Sequence, residues 1–129
     1  MDHVLDSSAV LALLQAEPGA DRVLSILADS VISAVNAAEV LRVLTRTGVS
    51  GADARRAFAR LHLTVIPFGE ADLSFLLDVS KAAPSLSLGD CACLALGLRL
   101  DAPVFTTDRA WASIKLRIPV KLIREPRRS

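Results

Sequence analysis

Short apolar runs alternate along the chain with longer segments in which apolar residues recur every three to four positions. The short runs are typical of buried strands, and the longer segments are typical of helices that bury one face. Strands are predicted at 4–5, 31–33, 63–66, 103–106 and 120–123. Helices are predicted around Val10 and Val23 and at 35–46, 50–61, 70–82, 87–100 and 109–115. This alternation predicts an α/β fold with a mostly parallel central sheet.

Capping and turn residues mark the ends of these segments. Ser7 or Ser8 is predicted to cap the first helix and Ser50 the fourth, because serine side chains accept hydrogen bonds from free helical amides. Pro18 and Gly19 interrupt the chain after the first helix, and Gly48 is predicted to end the helix at 35–46.

The length of 129 residues fits one domain, predicted at 1–123 and followed by a basic tail at 124–129. With 52% hydrophobic residues and a mean hydropathy of +0.44, the chain can form a substantial core, which excludes a disordered protein. No apolar run approaches the roughly 18 residues of a membrane span, and Asp2 stands where a signal peptide would be basic. We therefore expect a soluble, cytoplasmic protein without a membrane partner.

Cysteine and histidine offer little chemistry in this sequence. Cys91 and Cys93 lie two residues apart and belong to no zinc-binding pattern, so we expect buried, reduced thiols. His3 and His62 are isolated and lack the spacing of metal ligands.

Acidic residues fall where a parallel sheet places its ligands, beyond the carboxyl ends of the strands. Asp6 ends the first strand, Asp108 follows the fourth, and Asp90 lies in the first turn of a helix. Each also fits an ordinary helix cap, an alternative that stays open. Asp90 fits it least well, because no charged or polar side chain follows from Cys91 to Leu98, which predicts a buried helix.

Glu39 stands on a partly apolar helix face, between Val35 and Val43. An ion pair with Arg42 or Arg46 is the simpler explanation of that carboxylate. However, the strand at 31–33 delivers this helix to the same edge as the other acids.

Four carboxylates at one edge repel each other unless cations bind between them. Oxygen ligands without histidine or cysteine suit Mg²⁺, or Mn²⁺ in its place. Such sites hydrolyse phosphodiesters with metal-activated water and need no histidine base, serine nucleophile or glycine-rich phosphate loop.

At these residues the sequence resembles the PIN-domain family, in particular the VapC-type ribonuclease toxins of bacterial toxin–antitoxin pairs. The resemblance rests on four blocks in the family order: LDSSAV at 5–10, SAVNAAEV at 33–40, SLGDCACLAL at 87–96 and TTDRAW at 106–111. Trp111, in the last block, is expected to be a core residue.

The resemblance implies a three-layer α/β/α fold and Mg²⁺-dependent cleavage of single-stranded or looped RNA. It also implies a cognate VapB-like antitoxin as inhibitor and a homodimer as the assembly. The catalytic and metal-binding quartet would be Asp6, Glu39, Asp90 and Asp108, with Ser8, Asn36 and Thr106 as supporting polar residues. Asp6 and Asp90 match the principal metal ligands of the family.

The near-neutral net charge of +1 does not exclude RNA, because removing the four acids leaves 15 basic and 10 acidic residues, a balance of +5. With no tyrosine and one tryptophan, phosphate contacts by arginine are expected rather than base stacking. Basic residues cluster at Arg42, Arg46, Arg55, Arg56 and Arg60, and again from Lys115 to Arg128.

Two other functions fit part of the pattern. A phosphoacceptor receiver domain shares the length and the acidic pocket, but the predicted third strand ends at Pro67 without an acid. A catalytically inactive PIN module that binds RNA or protein is the second alternative.

Overall fold

The computed structural model describes residues 3–124, which form one five-stranded sheet with helices on both faces. The strands are β1 (His3–Leu5), β2 (Ser30–Ser33), β3 (Thr64–Ile66), β4 (Val104–Thr106) and β5 (Val120–Leu122). The α-helices are α1 (Ser7–Leu14), α2 (Ala20–Ile26), α3 (Ala34–Arg46), α4 (Gly51–Ala59), α5 (Leu73–Ala82) and α6 (Leu88–Leu100). Single 3₁₀ turns lie at Leu27–Asp29, Glu70–Asp72 and Arg109–Ser113.

All neighbouring strands of the sheet pair in parallel, in the order β3-β2-β1-β4-β5. The predicted α/β class and three-layer fold are therefore confirmed. The order also argues against a receiver domain, whose sheet runs 2-1-3-4-5. Here β3 is an edge strand and ends at Ile66 without an acid.

Alternate residues of the central strands bury both faces of the sheet. Val4 of β1 belongs to the apolar cluster that contains α5 and α6, and the next residue, Leu5, belongs to the cluster that contains α1 and α3. Val31 and Ile32 of β2 divide in the same way, as side chains must along a strand. Short apolar runs were predictable as strands because a parallel sheet covered on both faces needs no polar positions.

Helix α6 runs through the core, and its residues from Cys91 to Leu98 are all buried, as predicted from their lack of polar side chains. Trp111 is 1% exposed and is a core residue, which confirms that prediction. Two predicted helices differ in their details. The segment predicted at 70–82 opens with the 3₁₀ turn, in which the Asp72 carboxylate accepts from the Gly69 amide at 2.8 Å, and the short helix after β4 is entirely 3₁₀.

β5 and the residues after it are bonded to α2 and to the turn that precedes α2. Arg22 donates to the Leu122 carbonyl at 3.0 Å, and Arg124 donates to the Pro18 carbonyl at 3.2 Å. The rest of the predicted basic tail, at 125–129, lies outside the described residues. Across residues 3–124, no helix has the length and apolar character needed to cross a membrane.

Candidate active site

The carboxyl edge of the sheet gathers the four acids that the sequence singles out. Asp6 follows β1 directly, and Asp108 follows β4 after one intervening residue. Helix α3 leaves β2 at the same edge and carries Glu39, and Asp90 lies in the first turn of α6. Four distant parts of the sequence therefore meet at one end of a parallel sheet.

Asp6 is the most enclosed acid of the site, with only 4% of its surface exposed. Its Oδ1 accepts from the Ala9 amide at 2.8 Å and from the Ser8 hydroxyl at 2.7 Å, and its Oδ2 accepts from Thr106 Oγ1 at 2.6 Å. Burial nevertheless raises the pKa of Asp6 from 3.8 to about 6, against the lowering effect of these bonds, and the charge of Asp90 adds to the rise.

The cap of α1 differs from the prediction, because Asp6 takes that position rather than Ser7 or Ser8. Ser8 instead connects two segments of the edge. Its Oγ donates to Asp6 and accepts from the Thr107 amide at 3.0 Å. Ser8 thus holds the Asp6 carboxylate against the chain that follows β4.

Asp90 is half-buried at the start of α6, and its amide donates to Ser87 Oγ at 3.2 Å. Burial raises the pKa of Asp90, and the negative charges of Glu39 and Asp108 raise it further, while hydrogen bonds from Ser87 oppose the rise. The three carboxylates are therefore near enough to repel each other in the protein alone.

Glu39 is held by Asn36 rather than by an arginine. Asn36 Nδ2 donates to Glu39 Oε1 at 2.7 Å and to the carbonyl of Gly89 at 3.1 Å. The simpler alternative for Glu39, an ion pair with Arg42 or Arg46, is absent from the described residues. Both arginines are exposed, and the Glu39 side chain turns inward toward α6.

Thr106 joins Asp6 and Asp108 across the edge of β4. The fully buried Thr106 hydroxyl donates to Asp6 and accepts from the Asp108 amide at 3.0 Å. Asp108 is exposed, and its Oδ1 accepts from the Ala110 amide at 2.9 Å, so it also caps the 3₁₀ turn. Asp108 therefore forms the solvent-facing side of the cluster.

No cation of the protein neutralises this cluster within residues 3–124, where none of the four carboxylates forms a salt bridge. In the same part of the chain, no three acidic, histidine or cysteine side chains already stand close enough to hold a metal ion. The nearby Cys93 thiol is fully buried, and burial, followed by the charges of Asp6, Asp90 and Glu39, raises its pKa well above the usual range. Cys93 thus stays protonated, in agreement with the expected buried, reduced thiol. The atoms of the site that remain available to bind a metal ion are oxygen atoms.

Comparison with known families identifies the domain. The sequence model of the PIN domain matches residues 3–116. The chain belongs to the PIN-domain family. No curated protein matches it by sequence.

Solved structures share the fold of this PIN domain at low sequence identity. A chain of VapBC2 from Rickettsia felis, solved with a promoter DNA fragment, has a TM-score of 0.77 at 10% identity over 95% of this chain and 98% of that one. A toxin–antitoxin complex from Klebsiella pneumoniae has a TM-score of 0.71 at 17% identity over 88% and 92%. VapBC-1 from nontypeable Haemophilus influenzae has a TM-score of 0.67 at 16% identity over 95% and 98%.

Sequence reasoning brought together the acids of this PIN domain but assigned no role to Gly89. A hypothetical Cβ on Gly89 would meet the Glu39 carboxyl group, a contact between residues 50 positions apart. The available signal was a glycine in the first turn of a helix, where glycine is disfavoured relative to alanine.

Proposed function

We propose that this PIN domain is a metal-dependent endoribonuclease, and that it acts as the toxin of a toxin–antitoxin pair. The convergence of Asp6, Glu39, Asp90 and Asp108 without a neutralising cation in residues 3–124 carries the proposal. A cluster of this kind destabilises the metal-free protein, which favours a function that requires a bound cation.

The donor atoms suit Mg²⁺ or Mn²⁺. A carboxylate has about four acceptor positions, and hydrogen bonds occupy three of those of Asp6, which leaves one on Oδ2 for a ligand. The buried Oδ1 of Asn36, beside Glu39, has no partner within the described residues. Mg²⁺ usually keeps several waters and takes one or two carboxylates, so the acids need not form a complete cage beforehand.

In this proposal Asp6 and Asp90 are the principal ligands, and Glu39 and Asp108 complete the site directly or through water. When bound, the ions would supply positive charge to the phosphodiester and make a water molecule more acidic. Ser8 and Thr106 fix the Asp6 carboxylate, Asn36 fixes Glu39, and the exposed Asp108 borders the side from which a substrate strand can approach.

RNA is the proposed substrate because the rest of the molecule is basic once the four acids bind cations. The five arginines of α3, α4 and its C-terminal cap are all exposed, and only Arg56 pairs with an acid, Asp53, in the described part of the chain. Trp111 is buried in the core and is not available for stacking on bases. We therefore propose phosphate contacts by arginine as the main source of RNA affinity.

A VapB-like protein is the proposed inhibitor. The similar solved structures from Rickettsia felis, Klebsiella pneumoniae and Haemophilus influenzae are described as VapBC or toxin–antitoxin complexes, which supports such a partner. An acidic segment of the antitoxin could pair with the exposed arginines of α3 and α4. A homodimer remains a prediction from the family resemblance, and a cytoplasmic location remains a prediction from the composition and cysteine pattern of the sequence.

Cleavage of labelled, structured RNA by the purified chain tests the activity. We expect cleavage with Mg²⁺, none after chelation, and recovery when Mn²⁺ is added. Asp6→Asn, prepared in parallel, should be inactive, which excludes a contaminating nuclease as the source. Cleavage that survives chelation would contradict the metal mechanism, and RNA binding without cleavage would favour the inactive PIN module instead.

A further inference from the structure

Gly89, the second residue of α6, has no backbone reason to be glycine. Its φ is not among the positive values of the described residues, which belong to Gly19, Gly48 and three non-glycine residues. Glycine is unfavourable in a helix relative to alanine, because its backbone loses more freedom on folding. The reason for glycine here must therefore lie in the surroundings of the residue.

The space next to Gly89 is filled by the carboxyl group of Glu39. A Cβ placed on Gly89 would lie 2.8 Å from Glu39 Cδ and 2.9 Å from Oε1, with Oε2 closer still. All three nearest atoms belong to this one carboxyl group. An alanine at position 89 would therefore displace the Glu39 carboxylate and meet no nearer group.

Asn36 holds the Glu39 carboxylate in that space. The side-chain amide of Asn36 bridges Glu39 Oε1 and the Gly89 carbonyl, and Asn36 itself is 1% exposed. Both of these partners are acceptors, so the side-chain amide of Asn36 must point its NH₂ group, and not its oxygen, toward them. Asn36 thus links the Glu39 carboxylate of α3 to Gly89 in the first turn of α6, the residue that precedes Asp90.

We propose that Gly89 is a positioning residue, whose missing side chain lets Asn36 hold the Glu39 carboxylate beside Asp90 in the geometry that binds a divalent cation. This inference rests on the proposed metal-dependent function. Gly89 contributes no ligand of its own, and its contribution is the position of Glu39.

The test is Gly89→Ala, with Gly51→Ala as the matched control. Gly51 is the first residue of α4, and a Cβ there would meet nothing within 4 Å. Mn²⁺ affinity is measured by calorimetry, and metal-free stability by urea unfolding. We expect Gly89→Ala to weaken Mn²⁺ binding by about tenfold or more, the usual effect of losing a group that orients a metal ligand. Metal-free stability should stay near that of the unmodified protein. Gly51→Ala should leave Mn²⁺ affinity unchanged and leave stability equal or slightly higher, because alanine is favoured over glycine in a helix.

A double-mutant cycle separates positioning from a general effect on the helix. Glu39→Asp shortens the side chain by one methylene and removes the contact with residue 89. The variant carrying both Gly89→Ala and Glu39→Asp should therefore bind Mn²⁺ no more weakly than Glu39→Asp alone. If Gly89→Ala folds only in the presence of Glu39→Asp, the contact is again confirmed.

Three results would overturn the proposal. The first is normal Mn²⁺ affinity in Gly89→Ala, and the second is a double variant whose loss of Mn²⁺ affinity is the product of the two single losses. The third is failure to fold of both Gly89→Ala and the double variant. Failure of the unmodified protein to bind Mn²⁺ has a different meaning, because it contradicts the proposed function itself. Comparing the unmodified protein with the variants therefore distinguishes the two failures.

Discussion

The raised pKa of Asp6 predicts that the metal-free protein becomes less stable as the pH rises through the range 4 to 6. A carboxyl group with a higher pKa in the folded state favours folding in its protonated form. Its stabilising effect is complete below the unfolded value of 3.8 and is lost as the pH rises through about 6. At about 1.4 kcal/mol per pKa unit, the full difference corresponds to about 3 kcal/mol for this buried group.

Asp6→Asn removes this titration while keeping the size of the side chain. Free energies of unfolding are measured by urea titration in chelator between pH 4 and pH 7.5, for the unmodified protein and for this variant. The stability of the unmodified protein relative to the variant should fall by about 2.5 kcal/mol across that range, because the unfolded carboxyl is already partly ionised at pH 4. Asp78→Asn, which alters an exposed carboxylate on α5, controls for the general effect of removing a charge. A pH-independent difference between Asp6→Asn and the unmodified protein would refute the reasoning.

Three further predictions concern other residues. Asp90→Asn should reduce RNA cleavage to background and yet raise the metal-free free energy of unfolding, because it removes repulsion by neighbouring acids; lower stability in urea would instead support a simple capping role. Arg99→Met should lower the free energy of unfolding in urea by about 3 kcal/mol, because the Asp72 carboxylate is 2% exposed and accepts from Arg99 at 3.0 Å. Adding Asp72→Asn should recover part of that loss. Gly97→Ala should lower the free energy of unfolding by about 1–3 kcal/mol in the same assay, because a Cβ at position 97 would lie 2.5 Å from a methyl group of Val104. An unchanged urea midpoint would contradict this packing.

Much of the fold could be predicted because a parallel sheet covered on both faces makes strong demands on sequence. Each central strand contains a buried apolar pair, Val4–Leu5, Val31–Ile32 or Val104–Phe105. The helices show helical spacing or, in α6, no polar face in the buried stretch. The placement of Asp6 and Asp108 followed from the rule that strand ends in such a sheet share one edge. These features are local in sequence, or depend only on the order of the elements.

Details of the site could not be predicted where residues compete for the same role. Asp and Ser are both favoured helix caps, so Asp6 and Ser8 were not separable by type alone. In the structure, the Asp6 carboxylate takes the cap and Ser8 reaches the Thr107 amide, a contact between the segments that follow β1 and β4.

Glu39 has two possible partners at the same helical spacing, Asn36 and Arg42, and the contact that favours Asn36 is tertiary. Arg42 was a reasonable partner on one helix, three positions away. The actual neighbours are Asn36 and the glycine of another helix, which becomes available only when α3 packs on α6. Burial likewise determines the pKa of Asp6, and burial is a property of the assembled fold.

Mn²⁺ titration by calorimetry tests most directly whether the four carboxylates form one metal site. The metal-free protein at pH 7.5 should bind Mn²⁺ with a measurable heat, and Asp6→Asn and Asp90→Asn should each lose most of that affinity. The existence of a metal site at this edge of the sheet would be contradicted if both variants bound Mn²⁺ as strongly as the unmodified protein, or if the unmodified protein did not bind Mn²⁺.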